Sequence, residues 1–409
     1  MIDRRTRYRR PAKRKVLIIV LGLVLISQLP FAYRRYRLRR LQHTIQQLAS
    51  QRITPSNDDY TDYKGVIHVH SFLGGHSTGN FDELISAAKT NQLDFVIMTE
   101  HPQAEFDTSA MTLSGVHAGI LFVNGNEVST ASGDRLLLIP GLTNAASMGS
   151  QTTSQVIEQQ KNAGGLTVVA YPTESQNWQS TNADGVEVYN LFTNARQINR
   201  LVTFFDGLWS YRGYADLMFA NFLVRPNENL ERWNAAIETG NRRLFAIAGN
   251  DAHSNVGISL NDANGNQLIG LKLDPYQRSF RTVRTHVLIR KDKELSRDTL
   301  LDALAHGHCY LSFDMFGEGS GFDFRTDNAN HIMGDETELS AELRFHGRSP
   351  LPARFVMLQN GVPIEQKSGT DVEFSADGPG VYRLELYLDS LPAPVAGKPW
   401  IVSNPIYVR

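Results

Sequence analysis

The sequence predicts an α/β chain in which a βα barrel is followed by a small antiparallel β-sandwich and preceded by a transmembrane helix. Three observations predict it. An uncharged run of 18 residues, Val16 to Tyr33, is flanked on both sides by basic residues. From Tyr60 to about Tyr310, short apolar runs alternate with stretches of helical spacing. After about Leu311 the texture becomes an apolar–polar alternation.

At 409 residues the chain exceeds one ordinary domain and suits two, plus appendages. Residues 1–52 hold 14 Lys/Arg and one acid, Asp3, which leaves 27 basic against 41 acidic residues in the remainder, a net of about −14. An acidic body without a basic face argues against nucleic acid as a partner, because affinity for a phosphate backbone needs clustered Lys and Arg. Residues 1–15 read as a basic cytoplasmic tail and 16–33 as an anchor, at the short end of the roughly 17–25 residues a spanning helix needs. A cleaved signal peptide would end in small residues, and Phe31-Ala32-Tyr33-Arg34-Arg35 does not. Eight Lys/Arg precede the run and five follow closely, a bias that places the N-terminus in the cytoplasm and the body outside it, periplasmic or extracellular.

Leu38, Leu41, Ile45 and Leu48 fall at helical spacing, so 34–59 reads as a juxtamembrane helix or stalk with a linker at Pro55–Asp59. Its arginines suit anionic lipid head groups. Strands are expected at Val66–His70, Phe95–Thr99, Gly119–Asn124, Leu136–Ile139, Leu166–Ala170, Val186–Tyr189, Leu244–Ala248 and His286–Ile289. Helices are expected at Asp82–Thr90, Ser154–Asn162, Leu230–Thr239 and Arg297–Ala305. Apolar strands alternating with amphipathic helices indicate a parallel sheet covered on both faces, and eight-odd strands in about 250 residues suit a barrel spanning 60–310. In 311–409, Leu384, Leu386 and Leu388 alternate with Arg383, Glu385 and Tyr387, and Asn360-Gly361 is a hairpin signal, which together read as the sandwich. The lone Cys309, in an apolar run, fits an inert core residue.

His68 and His70 stand two apart at the end of an apolar run, a spacing that puts both imidazoles on one face of a strand. Two such rings are half of a transition-metal site. Downstream stand His76, Glu100-His101, Glu127, Asp251 and His253, most of them at or just past an expected strand end, where barrels gather their active-site residues. A metallohydrolase is the reading these residues favour. Arg278, Arg281 and Arg284 could grip an anion but read more simply as a solvated loop.

The ordered set HVHSFLGGHSTGN (68–80), MTEH (98–101), GNEVS (125–129), GVEVYN (185–190) and AGNDAH (248–253) resembles the polymerase and histidinol phosphatase (PHP) family, and most closely its stand-alone hydrolases with a β-rich C-terminal domain. The segments Trp233…Gly240 and Leu304…Gly307-His308-Cys309-Tyr310 are similar to that branch as well, so the likeness spans about 64–310. It implies a distorted, TIM-like barrel with up to three metal positions. The first would be held by His68, His70, Glu127 and Asp251, and another by His76, His101 and His253. Imidazole and carboxylate ligands suit Zn, Mn or Fe. Two departures stand out. Glu100 replaces the usual Asp of the second motif, and Val169-Ala170-Tyr171-Pro172 replaces the family's His-Pro. The second departure leaves one position altered, weak or empty, so two ions are expected, with Glu187 or Asn190 as substitute ligands or substrate contacts.

The expected function is hydrolysis by a metal-activated water on a small-molecule substrate, with Tyr171 or Glu100 donating a proton or orienting the substrate. Family precedent favours phosphoesters. A carbamate or carboxylic ester is the alternative on the same scaffold, since all these substrates pass through an oxyanion. From a different class comes a membrane-tethered binding or scaffold protein that keeps its metal for structure only, a reading supported by Tyr171.

Overall fold

The computed structural model describes residues 10–53, 59–196, 199–240, 242–261, 267–327 and 331–409. The first nine residues of the expected basic tail and all of the expected linker except Asp59 lie outside the described residues. Helix α1 (Arg10–Gln51) joins the expected anchor and juxtamembrane helix into one element. Its apolar residues from Val16 to Leu29 are exposed, whereas Leu38, Leu41 and Leu48 are buried against the body. The second stripe therefore docks onto the protein instead of standing as a free stalk, because leucines one turn apart on one helix face are removed from water together.

The barrel follows in order: β1 (Tyr60–Val69), α2 (Phe81–Thr90), β2 (Phe95–Met98), β3 (Ile120–Val123), β4 (Asn126–Ser129), β5 (Arg135–Ile139), α3 (Thr153–Asn162), β6 (Leu166–Ala170), β7 (Gly185–Asn190), α4 (Leu191–Arg196), α5 (Arg200–Tyr214), α6 (Asn227–Gly240) and β8 (Phe245–Ala252). Parallel pairs β3–β2, β2–β1, β1–β8, β8–β7 and β7–β6 form one arc. A parallel bridge from Glu100 to Asn126 joins β4 to the far side of that arc and closes the barrel. The sheet is not parallel throughout, however: β4–β5 and β5–β6 are antiparallel. Only residues 130–134 separate β4 from β5, too few for a parallel crossover, which needs about a dozen residues or more.

The chain continues through α7 (Tyr276–Thr282), β9 (Arg284–Arg290), α8 (Arg297–Ala305) and β10 (Cys309–Ser312). The C-terminal strands are β11 (Arg344–Gln359), β12 (Val362–Ser375), β13 (Gly380–Tyr387), β14 (Ile401–Ser403) and β15 (Ile406–Val408). Strand β9 leaves the barrel along the first half of β1 and pairs onward with β10. From there β10 pairs with β14, β14 with β13, β13 with β11, and β11 with β12. One hydrogen-bonded sheet thus runs from the barrel into the C-terminal strands, and the expected boundary at 310/311 falls inside the shared β10. The β11–β12 hairpin turns at Asn360 (φ +52°) and Gly361 (φ +80°), the paired positive φ that this dipeptide tolerates best.

Candidate metal centre

The site grows from the ends of β1, β4 and β8. His68 sits at φ +68°, where the register of β1 shifts against both neighbours between Ile67 and Val69. A residue that is not glycine rarely adopts this conformation, and bulges of this kind re-aim side chains. A local bulge, and not plain alternation, therefore brings the His68 and His70 rings to 5.1 Å. Asp251 (φ +46°) and Tyr171 (φ +48°) are held in the same left-handed region, so three site residues share a conformation that surrounding structure must impose.

Ligand atoms of His68, His70, Glu127 and Asp251 all lie within 4.8 Å of one another, and all four residues are buried. His68 Nε2 is 3.1 Å from Glu127 Oε2 and 3.6 Å from Asp251 Oδ1. His70 Nε2 is 3.2 Å and 3.5 Å from the same two oxygens, yet it makes no hydrogen bond to either. A second group, His70, His101 and His253, meets the same 4.8 Å limit, with the His70 ring 4.5 and 4.2 Å from the other two, which are 6.0 Å apart. His76 is not in that group. It is exposed, and its ring meets His101 edge-on at 5.1 Å.

The donor set fits a metal ion. Buried polar atoms nearly always find a partner, but both ring nitrogens of His70 and Asp251 Oδ1 are buried with none, and His70 Nε2 and Asp251 Oδ1 face one another at 3.5 Å beside Glu127. The electrostatics agree. Burial would depress His68, but the carboxylates of Glu187, Asp251 and Glu127 hold it well above its ordinary pKa. Burial would raise Glu127, but His68 and His70 hold it well below the carboxylate range. Burial, then the neighbouring His70, pull His101 down to about 3 and His253 to about 4, so these two rings are neutral at pH 7, the form in which an imidazole binds a metal.

Glu187 and Asn190, expected as substitute ligands or substrate contacts, lie behind the cluster instead. Glu187 Oε1 accepts from His68 Nδ1 at 2.6 Å, and its Oε2 accepts from Asn190 Nδ2 at 3.1 Å. A proton on Nδ1 suits that bond and would leave Nε2, 3.1 Å from Glu127 Oε2, as the atom offered to a metal, the usual arrangement for orienting a ligating imidazole. Gly249 makes room for it: a Cβ there would stand 1.5 Å from Glu187 Oε1. Asn190 Oδ1 accepts from Thr193 N at 2.8 Å in α4, tying that helix to the site.

Glu100, expected as a proton donor or orienting group, is spent elsewhere. Its carboxylate accepts from Ser71 N at 3.1 and 3.0 Å and from Thr112 Oγ1 at 2.8 Å, which holds the turn that follows His70. The Tyr171 hydroxyl donates to Asp251 Oδ2 at 2.5 Å, and burial followed by the Asp251 charge pushes its pKa far up, so it stays protonated. The three late arginines are not at the site: Arg278 and Arg281 pair with Asp216, and Arg284 pairs with Asp314. The arginine that is there went unnoticed in the sequence. Arg135 donates from Nη1 to Glu127 Oε1 at 2.8 Å, lies 5.6 Å above the Tyr171 ring and keeps its side chain 41 % exposed. The short Thr130–Asp134 turn was the available signal, since it brings Arg135 diagonally opposite Glu127 across a hairpin.

No family model and no curated protein matches the chain. Several solved structures are similar to it, among them the following three. One is a two-domain protein from Bacteroides vulgatus containing a predicted PHP-like metal-dependent phosphoesterase, 15% identical over 86% of this chain and 98% of that one, with a TM-score of 0.39. Another is PsfC from Pseudomonas syringae, 14% identical over 59% of this chain and 89% of that one, at 0.36. The third is a lesion-specific endonuclease, EndoQ, from Pyrococcus furiosus, 12% identical over 61% and 56%, at 0.35.

Proposed function

We propose that this chain is a membrane-anchored, metal-dependent hydrolase acting on phosphoesters. The observation that carries the reading is the buried convergence of His68, His70, Glu127 and Asp251, with atoms of His70 and Asp251 left without partners. A divalent transition ion bound there would lower the pKa of a water to about 7 and polarise a substrate oxygen. His68, His70, Glu127 and Asp251 would hold one ion, and His101 and His253 would complete a second position beside His70. Glu187 orients His68, and Tyr171 restrains Asp251 through its hydroxyl. Arg135 favours a phosphoester over a neutral ester, because its guanidinium reaches Glu127 with one nitrogen while the side chain stays open to solvent beside the cluster. The exposed apolar run of α1, with mean hydropathy 2.3, supports the anchor, and the basic flanks support an outward-facing body.

Metal analysis of detergent-purified full-length protein, followed by chromogenic phosphate, carboxylic ester and carbamate substrates with and without added Mn or Zn, tests the assignment. His68→Ala and Asp251→Ala should each abolish turnover and lower bound metal. Equal metal in His68→Ala and the parent would overturn the ligand set, and metal binding without turnover on any substrate would favour the scaffold reading. A reporter that works only after export, fused behind Arg409, should be active; a silent fusion would reverse the orientation.

A further inference from the structure

Helix α5 has two faces with different fates. On one, Asp206 and Ser210 are buried. Asp206 takes the Arg34 guanidinium of α1 at 2.6 to 2.7 Å, Phe205 packs on Phe31 at 5.1 Å, and Trp209 Nε1 donates to Gln28 Oε1 at 3.0 Å. Arg35 of α1 donates to the Trp209 carbonyl and lies 5.0 Å from the Tyr214 ring. The other face is apolar and uncovered: Leu201 is 67%, Phe204 51% and Leu208 68% exposed, and Trp209, 37% exposed, stands at the border of the two. Positions i, i+3, i+7 and i+8 form one continuous helical stripe.

What that stripe meets is decided by where α5 docks. Its contacts with α1 fall between Gln28 and Arg35, where the apolar run of α1 ends and its arginines begin. On a spanning helix this is the level of the head groups. The uncovered surface of α1 and the uncovered stripe of α5 then adjoin at one depth, with Tyr33, Tyr36, Trp209 and Tyr214 on the same two helices, the aromatic types that favour a membrane interface.

We propose that α5 lies in the plane of the membrane as a second lipid-contacting element, with Leu201, Phe204, Leu208 and Trp209 seated at the boundary between phospholipid head groups and acyl chains. Polar contacts to α1 on one side and an apolar stripe on the other suit a helix that lies in the interface rather than crossing it. The proposal rests on the reading of Val16–Tyr33 as a span. It bears on the metal centre, because α4, the helix that precedes α5 in the chain, departs directly from Asn190 and places Phe192 5.7 Å from the His253 ring.

The test uses the full chain in phosphatidylcholine/phosphatidylglycerol vesicles. The single native cysteine, Cys309, is buried, so spin labels can be placed singly at Leu201→Cys, Phe204→Cys and Leu208→Cys, with Ile26→Cys as a span control and Val362→Cys as an aqueous control. The three α5 labels should favour collision with oxygen over a nickel chelate several-fold relative to Val362→Cys. Trp209 gives an independent reading, because Trp178, Trp233 and Trp400 are all buried. Shallowly brominated lipids should quench part of the protein fluorescence, and Trp209→Phe should remove the quenchable part. If the Ile26 label sits in lipid while the α5 labels behave as Val362→Cys does, the proposal fails and the anchor stands. If the Ile26 label is also aqueous, both fall. Labels at α5 shielded from both probes would show a protein partner on the stripe and equally overturn the proposal.

Discussion

Glu187 shows how far a single buried carboxylate reaches into this site. Its Oε1 lies 2.6 Å from His68 Nδ1 and so restrains the aim of that ring. Groups in this role commonly cost 10–100-fold in metal affinity when altered. Glu187→Gln should therefore keep the fold and lower metal affinity by roughly tenfold or more. Gly249→Ala should do the same from the opposite side, since its methyl would occupy the place of Glu187 Oε1. Metal titration with circular dichroism on both variants checks this: unchanged affinity in a folded Gly249→Ala protein would remove Glu187 from the argument. Sequence spacing could group the histidines and acids near strand ends, yet it cast Glu187 and Asn190 as ligand substitutes. Which layer a carboxylate joins depends on ångström distances across 119 residues of chain, and no local pattern encodes that.

Between elements, the junction of β1, β9 and β10 is held by a buried ionic staple. His286 on β9 bonds Asp62 of β1 at 2.9 Å and Asp314, just beyond β10, at 3.2 Å, and it stacks on Tyr310 at 4.6 Å. Burial would depress this imidazole, but Asp62 and Asp314 push it up to about 10. Because the folded pKa lies above the unfolded value of about 6.5, the stabilisation is fully present below pH 6.5 and is lost as pH rises through about 10. Thermal melts should fall steeply between pH 7 and 10.5 in the parent. His286→Gln should melt lower at pH 7, by the roughly 3–5 kcal/mol typical of breaking a buried pair, and show a flatter slope across that range. Parallel slopes in the two proteins would show that His286 does not carry the pH dependence. In the sequence His286 is the first residue of an expected strand, and its partners, 224 and 28 residues away, give no local sign.

At the scale of the molecule, the C-terminal strands are built into the barrel wall. Asn404 donates to the Ala246 and Cys309 carbonyls at 3.0 and 2.8 Å and accepts from Ala246 N at 2.7 Å, while the Tyr407 hydroxyl accepts from Leu244 N at 3.1 Å. Glu385 takes Arg225 through two bonds. Removing these partners strands buried groups at about 1–3 kcal/mol each, against a total stability of about 5–15 kcal/mol. A chain ending at Ser312 should fail to accumulate as soluble folded protein, and limited proteolysis should not release a stable 60–310 fragment. A soluble truncated chain with a cooperative melt would contradict this.

The order of residues was enough to suggest the alternation of strands and helices, the anchor-like run, the antiparallel C-terminal texture and a set of histidines and acids near strand ends, while the grouping of His68, His70, Glu127 and Asp251 came from the resemblance of the ordered motifs. The features read from order depend on periodicity within a few residues, or on strand ends meeting at one mouth of a barrel. Tertiary structure alone decided the bulge that aims His68, the antiparallel arc β4–β5–β6, the diversion of Glu100 to a backbone turn and the placing of Arg135 on Glu127. It also decided that the leucines of α1 dock on the body and that β10 belongs to both halves of the sheet. These outcomes turn on which of several chemically equivalent partners comes within hydrogen-bonding or packing distance, and packing of the whole chain sets those distances.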